Sequence, residues 1–251
     1  MRARIVAAIV ENDLKDLVRN PVTLPLVILP PLLALLTGRI PGERPGDNLP
    51  LWIVYAQVLV GLSLSSLGLA EEKEKKTLEA LMVSPATFGE IILGKTLFSL
   101  VVTLLSAFLV LAVSGGVTGN MALAWLWVML GSVLFIEAGL IVGFYTQNQK
   151  SAGALDTPIM LVFMLAPALG AGFKSIKPLL DFVPSVNLLR LLQRALEAGA
   201  GGPAGLAGQA GLAGPAGTGA ALIPAKDLIS LLVWTVGVLF FALLGMRRQQ
   251  Q

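Results

Sequence analysis

Between its clusters of charge, this chain holds long uncharged stretches, each close to the length a helix needs to cross a bilayer. About 20 apolar residues cover the roughly 30 Å hydrocarbon core. Residues 20–38 and 48–70 carry no charge and are rich in Leu, Val and Ile. Residues 96–136 run 41 positions without one. That is too long for a single crossing and suits two, with the break at Ser114-Gly115-Gly116-Val117-Thr118-Gly119-Asn120, a Gly-rich turn. The fourth crossing then covers residues 121–145. A fifth is read near residues 153–173 and a sixth at 228–246, ending at Arg247-Arg248. The predicted fold class is an all-α membrane protein with six transmembrane helices, residues 1–251 forming a single transmembrane domain.

Composition supports this and removes other classes. Charged residues make up 13% of the chain, about half the roughly 25% usual in soluble domains. Mean hydropathy is +0.82. Too few charges remain to cover a water-soluble fold of 251 residues. The chain has no His and no Cys. This excludes Ser-His-Asp and Cys-His catalysis, HExxH zinc sites, thiolate chemistry and disulfides within it. The net charge of +3 fits a Lys/Arg bias at one membrane face better than a nucleic-acid partner. With the N-terminus inside, eleven Lys and Arg fall inside and seven outside. Five of those seven sit in the long fifth loop, which counts for less. The predicted topology is N-in, C-in.

Three segments lie outside the crossings. Residues 1–20 predict an amphipathic interfacial helix: Val6, Val10, Leu14 and Leu17 form a stripe, Asn12, Asp13, Asp16 and Arg19 lie elsewhere on the wheel, and Asn20-Pro21 ends it. Leu188, Leu189, Leu191, Leu192 and Leu196 alternate with Arg190, Gln193, Arg194 and Glu197. That pattern predicts a short outer or re-entrant helix between crossings five and six, approached through Pro178 and Pro184, with Arg190 and Arg194 on a solvated face. Residues 198–222 are rich in Gly, Ala and Pro, with Gly at every third position over part of the run, and read as a linker.

Gly89-Glu90-Ile91-Ile92-Leu93-Gly94-Lys95-Thr96 matches the P-loop pattern by letter. Its middle residues are bulky, Glu90 would face phosphates, and a crossing follows at once, so it is read as a helix entering the membrane with Lys95 snorkelling at the interface. Glu137 is read as the one formal charge inside a crossing. It faces either a dimer seam or substrate path, or a structural hydrogen bond to a neighbouring helix.

Glu71-Glu72-Lys73-Glu74-Lys75-Lys76 follows the second crossing, with Glu71 and Lys75, and Glu72 and Lys76, spaced for i, i+4 pairs. Then Thr77 can cap a short helix in which Leu78, Leu81 and Met82 form an apolar stripe, ended by Pro85. Such a helix either docks a soluble partner or packs on the membrane. The run from Glu71 through Thr77-Leu78-Glu79-Ala80-Leu81-Met82-Val83-Ser84-Pro85 to Gly94-Lys95 resembles the ABC-2-type permease family, as does the plan of interfacial helix, six crossings and late outer helices. The Gly/Ala/Pro repeat departs from that pattern and reads as an insertion.

The resemblance implies a permease subunit of an exporter in a bacterial or archaeal plasma membrane. It implies a second permease copy and a separate ATP-binding-cassette ATPase subunit that carries ATP and magnesium. This chain would hold no cofactor and no hydrolytic site. Residues 71–95 become the cytoplasmic coupling loop, with Thr77, Leu78, Glu79, Leu81, Met82, Ser84 and Pro85 as partner contacts and Gln147-Asn148-Gln149-Lys150 as a weaker second one. The alternatives are an ATP-independent carrier or channel, or a membrane scaffold.

Overall fold

The computed structural model describes residues 2–20, 23–39, 48–77, 87–114, 120–172, 177–197 and 225–249. All regular structure among them is helical. Helix α1 spans Arg2–Arg19 and α2 spans Thr23–Thr37. Helix α3, Leu49–Ala56, runs through a π turn at Gln57–Leu62 into α4, Ser63–Glu74. Then come α5 (Phe88–Val113), α6 (Met121–Tyr145), α7 (Gln149–Gly172), the single turn α8 (Lys177–Leu180), α9 (Pro184–Glu197) and α10 (Ala225–Gln249).

Among the described residues, five helical stretches are long and apolar enough to cross a membrane: α3 through α4, α5, α6, α7 and α10. The first expected crossing, residues 20–38, forms α2, which has 15 residues. At 1.5 Å per residue it is about 22 Å long, short of the core. A sixth crossing is reached only by counting α1 and α2 as one broken span. Pro30 and Pro31 lie inside α2. Pro31 has no N–H for the Val27 carbonyl four residues back. The Ser106 hydroxyl on α5 donates to that carbonyl at 2.9 Å, so the neighbouring helix replaces the bond.

The crossings alternate in direction. The ends of α4 and α6 and the starts of α5 and α7 meet near α1. At the opposite end, the starts of α3, α6 and α10 gather around α9. The long α3–α4 stretch is the centre of the bundle. All six residues of its π turn are buried. A π turn widens the helix and leaves room for a close neighbour. Helix α6 supplies that neighbour through glycines on one face. A Cβ on Gly139 would sit 2.2 Å from the Leu62 carbonyl oxygen, and one on Gly143 would sit 3.0 Å from Leu69 Cβ. The Gln57 side chain donates to the Val128 carbonyl at 2.7 Å.

Helix α9, expected as a short outer or re-entrant helix, packs into the core. Val186, Leu188, Leu189, Leu191, Leu192, Ala195 and Leu196 are all buried, packed into the main core with Trp127, Val128 and Leu231. Its Ala195 carbonyl accepts the backbone N–H of Asn120 at 2.8 Å, which ties it to the start of α6. Arg190 is not on a solvated face. Its side chain is 11% exposed and pairs with Asp181 and with Asp227 on α10, the latter at 3.5 Å. Lys226 adds a 2.8 Å bond to Asp181. Burial alone would raise the Asp181 pKa, but the hydrogen bonds and charges of Lys226 and Arg190 outweigh it and hold the carboxyl below its ordinary range.

Two outcomes follow. Gly139→Ala forces a methyl into backbone and should cost about 3 kcal/mol, the upper range for overpacking. Gly68→Ala, with nothing within 4 Å, should leave stability unchanged or slightly raised. Thermal unfolding of the detergent-solubilised variants compares them. The second outcome concerns acid. A depressed carboxyl contributes stability above its ordinary pKa of 3.8 and loses it as pH falls through the lower folded value. The melting temperature should therefore fall on acidification below about pH 4, and Asp181→Asn should start lower and fall less.

Candidate functional site

The charged run that ends α4 defines the site, because its first four residues reach α5, the end of α6 and the start of α7. Glu72 pairs with Lys95 on α5 at 2.9 Å, and Lys95 also holds Asp13 of α1 at 3.1 Å. The three side chains are 16%, 10% and 12% exposed in that order. Lys95 is thus a buried cation between two carboxylates, not a snorkelling one. The expected Glu72–Lys76 pair is absent. Lys76 takes a φ of 56° as the chain leaves α4, the left-handed turn that commonly ends a helix. Glu71 does pair with Lys75, as the spacing predicts.

Asp13 is turned inward, although the helical wheel set it apart from the apolar stripe. The stripe itself divides. Leu17 is buried and Val10 packs beside it against Val60, Leu64, Phe98 and Val102. Val6 and Leu14 line an open apolar groove with Leu93, Leu97 and Val101 of α5. The close approach of α1 to α5 depends on Gly94. A Cβ there would meet Ile9 Cγ2 at 2.9 Å.

Lys73 and Glu74 reach the turn between α6 and α7. The Lys73 ammonium donates to the carbonyls of Gly143, Phe144 and Thr146 at 2.9, 2.8 and 3.2 Å. Those carbonyls lie at the end of α6, where no following turn of helix supplies N–H donors. The Glu74 carboxylate accepts the backbone N–H of Gln149 at 2.9 Å, at the start of α7. Glu71 accepts from the Gln149 side chain at 2.8 Å. Each charge matches the helix dipole it faces.

Helix α5 begins at Phe88 with a capping box. Thr87 N–H donates to the Glu90 carboxylate at 2.8 Å, and Glu90 N–H donates to the Thr87 hydroxyl at 3.4 Å. Residues 89–96 are therefore helix, without the loop a P-loop requires. Thr77 donates its hydroxyl to the Glu72 carbonyl at 3.2 Å. Leu78, Glu79, Leu81, Met82, Ser84 and Pro85 lie outside the described residues, as do residues 115–119 and 198–222. The described residues on either side of that segment, the end of α4 and the start of α5, are fixed to each other through Glu72 and Lys95.

Glu137 is half-buried on α6, and its Oε2 is enclosed without a hydrogen-bond partner among the described residues. It is not the one charge within a crossing. Asp156 on α7 is 3% exposed and accepts the Ser66 hydroxyl of α4 at 2.6 Å. It lies inside the expected fifth crossing and was visible there as a charge. Lys73 and Asp13 could not be found in this way, since their partners lie 70 and 82 residues away.

Residues 5–199 match the family described as ABC-2 type transporter. The chain belongs to the ABC-2 type transporter family. Like its helices, this makes it an integral membrane protein. Among relatives, it is 30% identical over 119 residues to the probable multidrug ABC transporter permease YbhR of Escherichia coli strain K12. The same protein of Escherichia coli O157:H7 matches to the same extent. That stretch covers 45% of this chain and 31% of the relatives, so the chain matches about a third of their length. This ABC-2 family member places its buried lysine at Gly94-Lys95, the pair that closes the motif read in the sequence.

Removing the cation would leave Asp13 and Glu72 facing each other in a nearly closed site. Lys95→Met should cost about 3–5 kcal/mol, the range for breaking a buried pair. Neutralising both carboxylates as well (Asp13→Asn, Glu72→Gln) should recover most of it. Denaturant unfolding in detergent measures the difference.

Proposed function

We propose that this chain is the permease subunit of an ATP-driven exporter, working as two copies with two separate ATPase subunits. The observation that supports it most is the convergence of α1, the end of α4, the start of α5 and the α6–α7 turn on the two flanks of residues 78–86. A force applied to that segment meets fixed helix ends, not slack chain, so it can rock whole crossings. In this reading the α1 end is cytoplasmic, α1 lies at the inner interface, and both termini are inside. Leu78, Leu81 and Met82 supply the apolar contact for the ATPase, Pro85 stops the segment, and Thr77, Glu79 and Ser84 frame it. Glu137 and Asp156 are the intramembrane polar groups beside the moving helices. ATP and magnesium belong to the ATPase subunit, and no nucleic acid is involved. The setting is a bacterial or archaeal plasma membrane.

The test is co-purification with a separate ATP-binding-cassette ATPase subunit, followed by transport-linked hydrolysis. Leu78→Asp and Leu81→Asp should each lower coupled hydrolysis on the order of tenfold or more, or abolish co-purification. Retained assembly and coupling in both variants would remove the assignment.

A further inference from the structure

Resting on that reading, we infer that Lys73 is a positioning residue that joins the two ATPase-facing loops into one moving part. One loop follows α4; the other is the α6–α7 turn at residues 146–148. Three contacts carry this. Lys73 fills three carbonyls at the end of α6, at 2.8–3.2 Å. Glu74 takes the first backbone N–H of α7. Glu71 holds the Gln149 side chain. A turn between two helices normally leaves both of its ends to water. Here both ends are bonded to three residues within one helical turn of α4. The opposite charges of Lys73 and Glu74 suit the opposite dipoles of α6 and α7, so exchanging partners would place each against a repelling end.

The arrangement has a mechanical consequence. Gln147 and Asn148 in the α6–α7 turn and Lys150 in the first turn of α7 are exposed. An ATPase that moves the loop after α4 moves this turn with it, and one push reaches α4, α6 and α7 together. Without Lys73 the end of α6 would lose its tie to α4, and only the Glu71 and Glu74 contacts to Gln149 would link the two loops.

The chain has no cysteine, so spin labels can be placed at Lys75→Cys and Lys150→Cys alone. The distance between them is measured in the isolated permease, in the ATPase complex without nucleotide, and in the complex trapped with ATP. It should stay within roughly 2 Å, the limit that separates rigid from rearranged interfaces. Lys73→Met should broaden the distribution and cut transport per ATP hydrolysed several-fold, and Lys73→Arg should restore both. A larger change between states in the unmodified chain overturns the inference, and so does an unchanged distribution in Lys73→Met. If Lys73→Met does not accumulate, Glu74→Ala at its exposed position, which removes the acceptor for the Gln149 N–H, takes its place and must broaden the distribution. An unmodified chain that recruits no ATPase defeats the permease reading alone, because the distance in the isolated protein still judges the clamp.

Discussion

Lipid tails are as apolar as leucine, so a bilayer gives helices no hydrophobic reason to associate. What holds this bundle must be close packing and polar contacts. The π turn at Gln57–Leu62 meets the glycine face of α6, where the Leu62 carbonyl lies 2.2 Å from the position a Cβ would take. Phe108 and Val236 are more than half exposed, as apolar side chains turned to lipid can be. Small residues and buried side-chain donors decide which helices touch; the large apolar residues decide that the bundle stays in the membrane.

At the α1 end the same constraint takes an ionic form. A buried ammonium is costly unless its surroundings replace water. Lys95 finds two carboxylates from two other helices, and Lys73 finds three carbonyls from a fourth. Both lysines join elements distant in sequence. Together they turn the point where the chain leaves the bilayer into a junction of α1, α4, α5, α6 and α7. A transporter driven from outside needs such a junction, since a force entering at a loose end would dissipate in loop motion.

Much of this was legible from the sequence. Five crossings follow from uncharged length, and the expected fourth, residues 121–145, is the span of α6; uncharged length does not show that the expected first stretch forms only the 15-residue α2. The end of α1 at Asn20 and the Glu71–Lys75 pair came from local rules. The misplaced charges share one cause. Asp13 and Arg190 were assigned to water because a helical wheel knows only its own helix. Each is buried by a partner on another: Lys95 for Asp13, Asp227 for Arg190. The π turn has no sequence mark beyond Gln57 and Gly61 in an apolar run. Asp156 differs, being a plain charge within an expected crossing. Its neighbour Ser66 explains how it is tolerated there.

The Pro30–Pro31 pair in α2 leads to a last point about how change in one helix reaches another. The Val27 carbonyl depends on a hydroxyl that belongs to α5. Helix α2 is therefore not complete by itself: part of its backbone bonding is written at position 106. A substitution of Ser106 would act first as a lesion in α2, leaving a bare carbonyl where no water can reach it. The two positions should be inherited as a pair: a lineage that loses the proline frees the serine, and one that loses the serine has reason to lose the proline.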